Sequence, residues 1–338
     1  MSAPLRASPR TRARWIAGAV SAAILILTVA ASLAIGSRAI ELHEVWLALT
    51  GGPASPEAVA AIVGLRLPRT VAGILAGISL SLAGAVIQAL TRNPLADPGI
   101  LGVNAGAAFF VALAVGVFGF TSPRAYVWFA FAGALVATGA VFLLGSLGAS
   151  PARLVLAGMA LGAVLAGVTS IIRLSNRQAF NAMLAWEIGS LSNTDWNAIA
   201  VIAPLAIAGG AIALAISRPL GVLAFGDDLA QALGARLTAT RIAGVGAITL
   251  TAGAATALVG PVGFVGLMVP HVVRWAVGPS QPWIMALSAL VGPSLVLSAD
   301  ILGRVAVPPA ELPAATLTAF VGAPVLIALA RRRSARAI

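Results

Sequence analysis

The sequence contains no cysteine and no lysine, and only two histidines and one tyrosine among its 338 residues. The absence of cysteine excludes disulfide bonds, thiolate metal sites and thiol redox chemistry within this chain. The absence of lysine excludes a phosphate-binding loop of the GxxxxGK[ST] type, so the chain cannot hydrolyse ATP through that motif. There is also no GxSxG elbow and no HExxH zinc motif. The sequence therefore offers no catalytic site, no metal site and no cofactor of its own.

Charge is scarce and apolar content is high, which indicates a membrane protein. Charged residues make up 9% of the chain and hydrophobic residues 60%, whereas soluble proteins carry about 25% charged residues. Runs of about 20 apolar residues are long enough to cross a bilayer as helices. Ten such runs predict one all-α polytopic domain over residues 15–330, between basic tails at 1–14 and 331–338. The predicted spans are 15–36, 66–90, 99–118, 125–147, 153–173, 196–216, 241–259, 262–277, 281–303 and 312–330.

Arginine is the only strongly basic residue, and its distribution predicts the orientation. Both terminal tails are arginine-rich, so the positive-inside rule places both termini in the cytoplasm. Ten alternating spans then leave 13 arginines inside and 7 outside, with Arg274 inside a span. The net charge of +11 does not indicate nucleic-acid binding, because the arginines are scattered over both membrane faces. The first apolar run is longer than that of a cleavable signal peptide, which favours a retained first span.

Three polar gaps between spans carry further signals. Residues 41–49 have the spacing of a short amphipathic helix at the outer membrane surface. Trp186 in the outer gap 174–195, and Trp196 directly after that gap, suit an interfacial aromatic belt. In the inner segment 217–240, Asp227 and Asp228 predict the start of a short helix that Gly234 ends. Leu229, Ala230 and Leu233 would give that helix an apolar face outside the bilayer, which needs a partner.

The most informative segment is the turn RNPLADPGILG at residues 92–102, between the second and third spans. Two prolines prevent either helix from continuing through it. The strings GFVGLMVPHVVR (263–274), ADILGR (299–304), PAELP (309–313) and GAP (322–324) follow, and RLPR (66–69) and LAGMALG (156–162) lie among the earlier spans. In this order they closely resemble the FecCD family of importer permeases for ferric siderophores, haem and vitamin B12. We expect His271, beside Pro270, to be structural and to bond backbone freed by the proline.

The resemblance implies a type II ABC importer permease with roles for particular residues. Arg66, Arg69 and Arg304 would receive two glutamates of a soluble binding protein, since guanidinium forks bind carboxylates bidentately. Asn93, Leu95 and Ser150 would form a cytoplasmic gate, although GASPAR at residues 148–153 keeps only Ser150 of the small hydroxyl residues found in the B12 importer. The segment 217–240 would couple to the ATPase. Its coupling residues would be Gly226, Asp227, Asp228, Leu229, Ala230, Leu233, Gly234 and Arg236.

The same resemblance implies the partners, the location and the cargo. The chain would work in a bacterial cytoplasmic membrane as a homodimer, or as a heterodimer with a related permease. Two ATPase subunits would hold ATP and magnesium, and a periplasmic or lipoprotein binding protein would deliver the cargo. A ferric siderophore is the first choice, haem the second and vitamin B12 the third; Arg173 and Arg177 are candidates to meet an anionic cargo. A self-contained secondary transporter is the alternative from another class, and it would need ionisable residues deep within the spans.

Overall fold

The computed structural model describes residues 9–120, 122–146, 151–308 and 310–334. These residues form helices and connecting turns, and within them the only β-type pairing is an isolated bridge between Val307 and Ala310. Seven helices in this part of the chain are long and apolar enough to cross a membrane, and three more are apolar but shorter. Each of the ten coincides with one predicted span, so the all-α polytopic prediction is confirmed.

The ten apolar helices alternate between the two ends of one bundle. They are α1 (Pro9–Ala34), α4 (Leu67–Thr91), α5 (Val103–Gly116), α6 (Pro123–Ser146), α7 (Pro151–Ser175), α9 (Trp196–Ala215), α12 (Leu237–Val259), α13 (Val265–Val277), α14 (Gln281–Ala306) and α15 (Ala314–Ser334). Contacts near the ends of the helices agree with this alternation. At one end, Arg14 donates to the carbonyl of Val277, and at the other Arg66 donates to the carbonyl of Leu33. We call these the inner and outer ends, following the predicted orientation.

Shorter helices lie outside these ten. At the outer end are α2 (Leu42–Thr50), α3 (Pro56–Val59) with the following π-helical turn (Ala60–Arg66), and α8 (Arg177–Glu187); at the inner end are α10 (Ser217–Leu223) and α11 (Asp227–Ala232). The predicted amphipathic helix at 41–49 and the predicted inner helix at Asp227 are both present. Helices α8 and α10 were not predicted. The outer extension of α4 back to Pro56 was not predicted either, because residues 56–65, although mostly apolar, lie outside the predicted second span, which begins at residue 66.

Burial separates the core of the bundle from its lipid-facing rim. The most apolar 18-residue stretch of each helix shows this difference. In α12 and in the helix that contains α4, 78% of the residues of that stretch are buried, but only 6% are buried in α1 and 11% in α7. Helix α4 packs against α12, α13 and α14. A helix whose apolar side chains stay exposed in a membrane protein faces lipid or another subunit. Helix α4 is therefore the centre of the fold, and α1 and α7 are peripheral.

Glycines allow the central helices to approach backbone to backbone. A Cβ atom at Gly84 would lie 2.6 Å from the Cα of Gly266 in α13, and one at Gly77 would lie 2.7 Å from the carbonyl carbon of Gly292 in α14. Small residues at crossings let membrane helices pack closely, where van der Waals contact replaces the hydrophobic effect. By contrast, a Cβ at Gly162 would make only an ordinary 3.8 Å contact.

The helix α13 runs through Pro270 without interruption, and a side chain of α4 replaces the hydrogen bond that the proline removes. Proline has no backbone N–H, so the carbonyl four residues earlier, that of Gly266, loses its helical donor. The side-chain amide of Gln88 donates to that carbonyl at 3.3 Å and to the carbonyl of Leu267 at 3.0 Å. Gln88 thus supplies the bond that the sequence analysis assigned to His271, whose ring lies edge-on to Trp275 with the ring centroids 5.1 Å apart.

Candidate functional site

A cluster of ionised side chains occupies the outer end of the bundle, where α4, α14 and the turn before α15 meet. The buried carboxylate of Asp300 accepts hydrogen bonds from the guanidinium groups of both Arg69 and Arg304. Arg69 donates to one Asp300 oxygen at 2.6 Å, and Arg304 donates through Nε to the other at 2.9 Å. Arg69 also donates to Glu311 at 2.7 Å. We call Arg69, Asp300, Arg304 and Glu311 the outer cluster.

Two arginines of this region cap the end of α1. Arg304 donates to the carbonyls of Ser32 (2.7 Å) and Ile35 (3.0 Å), and Arg66 donates to those of Leu33 (2.9 Å) and Ala34 (2.7 Å). The last carbonyls of a helix have no intrahelical partner and carry partial negative charge, so cations there are favourable. Because α1 buries little surface elsewhere, these bonds are a major part of what holds its outer end to the bundle.

The predicted docking arginines therefore differ in how far a partner can reach them. The side chains of Arg66 and Arg304 are 6% and 2% exposed, and their donors are engaged within the chain. Arg69 is 12% exposed and Glu311 is 28% exposed, so this pair lies nearest to the outer surface. Burial raises the pKa of Glu311, but the hydrogen bond and charge of Arg69 outweigh it and leave the pKa below its usual value. Docking by these arginines stays a prediction.

The inner turn after α4 carries two of the three predicted gate residues. The side-chain oxygen of Asn93 accepts a hydrogen bond from the backbone N–H of Leu95 at 3.0 Å, which closes an Asx turn. Asp97 accepts from the backbone N–H of Gly99 at 2.8 Å and starts a short 3₁₀ turn before α5. Asn93 is exposed and Leu95 is half-buried at the inner end. Ser150, the third predicted gate residue, lies outside the described residues.

Within the predicted coupling segment, residues 217–240, the helix α11 is framed by two glycines with positive φ. Gly226 (φ 101°) precedes α11 and Gly234 (φ 81°) follows it, and such values suit glycine. Leu229 and Leu233 are 50% and 63% exposed on the inner face of the molecule. Beside them, Asp228 and Arg236 are exposed as well.

One part of the predicted apolar face is wrong. Ala230 is fully buried and does not share the exposed face of Leu229 and Leu233. Because adjacent helical residues point about 100° apart, Ala230 turns inward, where α11 packs on α10 and α12. Of the predicted apolar face, only Leu229 in α11 and Leu233 directly after it are therefore exposed to a partner.

Asp227 fastens this segment to the rest of the inner end. Its two carboxylate oxygens accept from different arginines, Arg92 at the end of α4 and Arg241 in α12, the latter at 2.8 Å. Burial raises the pKa of Asp227, but the bonds and charges of Arg241 and Arg92 outweigh it, and the pKa is lower than usual. Asp227 therefore stays ionised and paired at neutral pH.

The two arginines proposed to meet cargo have different surroundings. Arg173 donates to Glu187 at 2.6 Å and its guanidinium lies 5.8 Å from the ring centre of Phe180, so its charge is already engaged. Arg177 is exposed at the start of α8, where Asn176 caps the helix by accepting from two backbone N–H groups. Among the described residues, no group of three or more histidine, aspartate or glutamate side chains could hold a metal ion.

A cavity of about 490 Å³ opens at the outer end of α6, α9 and α12, beneath α8. Its walls are mainly apolar, and Tyr126, Trp186 and Asp195 contribute to its lining. Ligand pockets are commonly of about this size. Arg173 and Arg177 do not line it. This cavity was not predicted from the sequence, because it depends on α8, which was not predicted either.

Sequence reasoning also missed the residues that partner the predicted ones. Asp300, Glu311, Arg92 and Arg241 were read as parts of motifs or as loop charges, and none was given a role. For Asp300 a signal existed, since it precedes Arg304 by four residues on one helix, and this spacing places the two side chains on the same face. The pairing of Arg92 with Asp227 spans 135 residues, and no local pattern indicates it.

Comparison with known proteins agrees with this architecture. The chain matches the FecCD transport family over residues 24–332. It is 47% identical over 314 residues to FepD, the permease protein of the ferric enterobactin transport system of Escherichia coli, covering 92% of this chain and 93% of that one. It is 34% identical over 278 residues to HmuU, the hemin transport system permease protein of Yersinia pestis, covering 80% and 83%.

Solved structures give the same result. A metal-chelate type ABC transporter in an inward-facing conformation superposes with a TM-score of 0.82 at 26% sequence identity, covering 94% of this chain and 99% of that chain. The ten apolar helices described above thus have the arrangement of a type II ABC importer permease. On this evidence the chain belongs to the FecCD transport family and is a transmembrane permease of the ABC importer class.

Proposed function

We propose that this chain moves a ferric siderophore across the bacterial cytoplasmic membrane, as the permease subunit of an importer powered by separate ATPase subunits. The observation that carries the cargo assignment is the 47% identity, over nearly the whole chain, to the ferric enterobactin permease. The hemin permease matches at 34%, so haem is the second candidate and cobalamin the third. The pairing of Arg173 with Glu187 leaves it less available to any anionic cargo, so it does not favour one candidate over another.

The working unit is proposed to be a dimer of this chain, or a pair with a related permease, with the cargo pathway between the two. Leu229 and Leu233 would enter a groove on each ATPase subunit, since two exposed leucines on a helix outside the bilayer are stabilised by a partner. ATP and magnesium would be bound by the ATPase and not by this chain. Asn93, Leu95 and Ser150 would close the pathway at the inner end while the outer end is open.

The soluble binding protein is proposed to dock at the outer cluster. Arg69 would meet a carboxylate of that protein directly, because it is the most exposed of the three predicted docking arginines. Arg66 and Arg304 would support the surface by holding α1 against α4 and α14. A docking carboxylate would compete with Glu311 for Arg69.

The test is reconstitution of the chain in proteoliposomes with its candidate ATPase and binding protein. Uptake of ferric siderophore, hemin and cobalamin is measured separately, with and without ATP. The proposal expects ATP-dependent uptake of the siderophore that needs all three components. Preferred uptake of hemin would replace the cargo assignment, and uptake driven by an ion gradient without the ATPase would support a secondary transporter instead.

A further inference from the structure

Arg92 connects three elements at the inner end of the molecule. Its Nε donates to the carbonyl of Leu223, at the end of α10, at 2.9 Å. Its Nη2 contacts the carboxylate of Asp227, at the start of α11, and the other oxygen of that carboxylate accepts from Arg241 in α12. One side chain at the end of α4 therefore holds both helices of the coupling segment, and Asp227 holds that segment to α12.

The backbone at Arg92 supports a role for its side chain. Arg92 ends α4 in a left-handed conformation with φ 52°, and only Phe264 shares a positive φ among the described non-glycine residues. Glycine is the residue that helices most often carry at this position, because other residues adopt the conformation only at an energetic cost. An arginine at this position has a higher backbone conformational energy than glycine would have, but its side chain reaches Leu223 and Asp227.

Stability alone does not account for this arrangement. The side chains of Arg92, Asp227 and Arg241 are each about one third exposed, and ion pairs at such exposure contribute little to folding. What the bonds do fix is position, because the Arg92 guanidinium uses a planar set of donors to hold a backbone carbonyl and a carboxylate together. The segment that carries Leu229 and Leu233 is thereby oriented with respect to the end of α4.

Helix α4 carries an ion-paired arginine at each end. Arg69 in its first turn belongs to the outer cluster, and Arg92 directly follows its last turn, with Asn93 and Leu95 next in the chain. Twenty-five helical residues span about 37 Å, comparable with the thickness of a bilayer. Because α4 is also central to the bundle, a displacement at one end is carried by one rigid, closely packed element to the other.

We propose that Arg92 is the positioning residue that transmits movement of the ATPase-facing helix α11 to α4, and so to the gate turn and the outer cluster. This inference rests on the proposed function, since it presumes that α11 engages an ATPase. It adds that the link runs through the Arg92–Asp227 contact and the Arg92–Leu223 bond. Movement of α11 then displaces the turn of Asn93 and Leu95 directly, without first repacking the bundle.

The test uses the complete complex of permease, ATPase and binding protein in proteoliposomes, with ATP inside and the transported cargo supplied outside. Uptake and ATP hydrolysis are measured together, and their ratio is compared between wild type and Arg92→Ala. If Arg92 transmits movement, its replacement should lower the ratio of uptake to hydrolysis about tenfold, a usual size for coupling between sites. The rate of hydrolysis itself should change little. Arg12→Ala, which removes an exposed arginine near the start of α1 at the inner end and outside the coupling segment, is the matched control and should keep the wild-type ratio.

Two further variants separate transmission from folding. Arg92→Lys keeps the charge but lacks the planar fork needed for both partners, so it should also lower the ratio even if Arg92→Ala does not assemble. The exchange of all three charges, Arg92→Asp with Asp227→Arg and Arg241→Asp, should recover part of the ratio lost in Arg92→Asp alone. An unchanged ratio in Arg92→Lys, or equal losses of uptake and hydrolysis without recovery in the exchange, would overturn the inference. If wild type itself shows no ATP-dependent uptake of siderophore, hemin or cobalamin, the proposed function fails first.

Discussion

Replacement of Arg304 by methionine tests whether the outer cluster is a structural element of the permease. Methionine keeps much of the side-chain volume and removes the charge and all donors. Asp300 would keep Arg69 as a partner, but the carbonyls of Ser32 and Ile35 at the end of α1 would lose theirs. We therefore expect the variant to be strongly destabilised and α1 to detach from α14 at the outer end.

The magnitude follows from the bonds that are lost. A hydrogen bond to a charged group contributes about 1.5 to 3 kcal/mol, so loss of the two carbonyl bonds alone costs at least about 3 kcal/mol. Removal of one partner from a buried ion pair costs about 3 to 5 kcal/mol. The two estimates overlap, and we expect the free energy of unfolding to fall by about 3 to 5 kcal/mol.

The assay is unfolding of the purified permease in mild detergent by added dodecyl sulfate, followed by the fluorescence of its seven tryptophans. Arg38→Met is the matched control, because Arg38 is an exposed arginine at the same end of the bundle; it should change the free energy by less than about 0.5 kcal/mol. If Arg304→Met stays within about 1 kcal/mol of wild type, well below the cost of a broken buried pair, then Arg304 does not hold α1 to the bundle.

Three further predictions concern docking, coupling and packing. Glu311→Gln frees Arg69 and should tighten binding of the soluble binding protein severalfold in a surface-immobilised assay; weaker binding would contradict competition for Arg69. Because the pKa of Glu311 is below its usual value of 4.5, the pair persists above that value and is lost as the pH falls through the lowered pKa, so wild type should approach the variant only in strong acid. Leu229→Asp should abolish ATP-driven uptake while the permease remains folded by gel filtration; full uptake would exclude Leu229 from the ATPase contact. Gly84→Ala should destabilise the fold by about 1 to 3 kcal/mol through overpacking, whereas Gly162→Ala, where a Cβ has ordinary room, should be nearly neutral in the same unfolding assay.

The ten spans were predictable because each is a continuous apolar run, and a bilayer requires such runs to be helical. The outer extension of α4 and the helices α8 and α10 were not predictable in the same way. They are short, their composition is mixed, and they are stabilised by tertiary contacts and local caps such as Asn176. Short helices depend on packing more than on propensity, and a sequence pattern shows only part of that packing.

For the candidate site, too, local sequence patterns identified some residues, but not the residues that contact them. Motifs identified Arg69, Arg304 and Asp227 as residues of interest, but their partners lie far away in the chain: Arg69 and Asp300 are 231 residues apart. Such separations explain why the three arginines were read as free to bind another protein, although each of them is bonded within the chain. The inward position of Ala230 was missed for a similar reason. It depends on how α11 packs against α10 and α12, and not on the sequence of α11 itself.

The most direct test of the central claim is uptake of ferric siderophore by proteoliposomes that contain this permease with its ATPase and binding protein. The claim predicts uptake that requires ATP and all three components, that exceeds uptake of hemin and cobalamin, and that is lost when the ATPase cannot hydrolyse ATP. Siderophore uptake that proceeds on an ion gradient without the ATPase would contradict it.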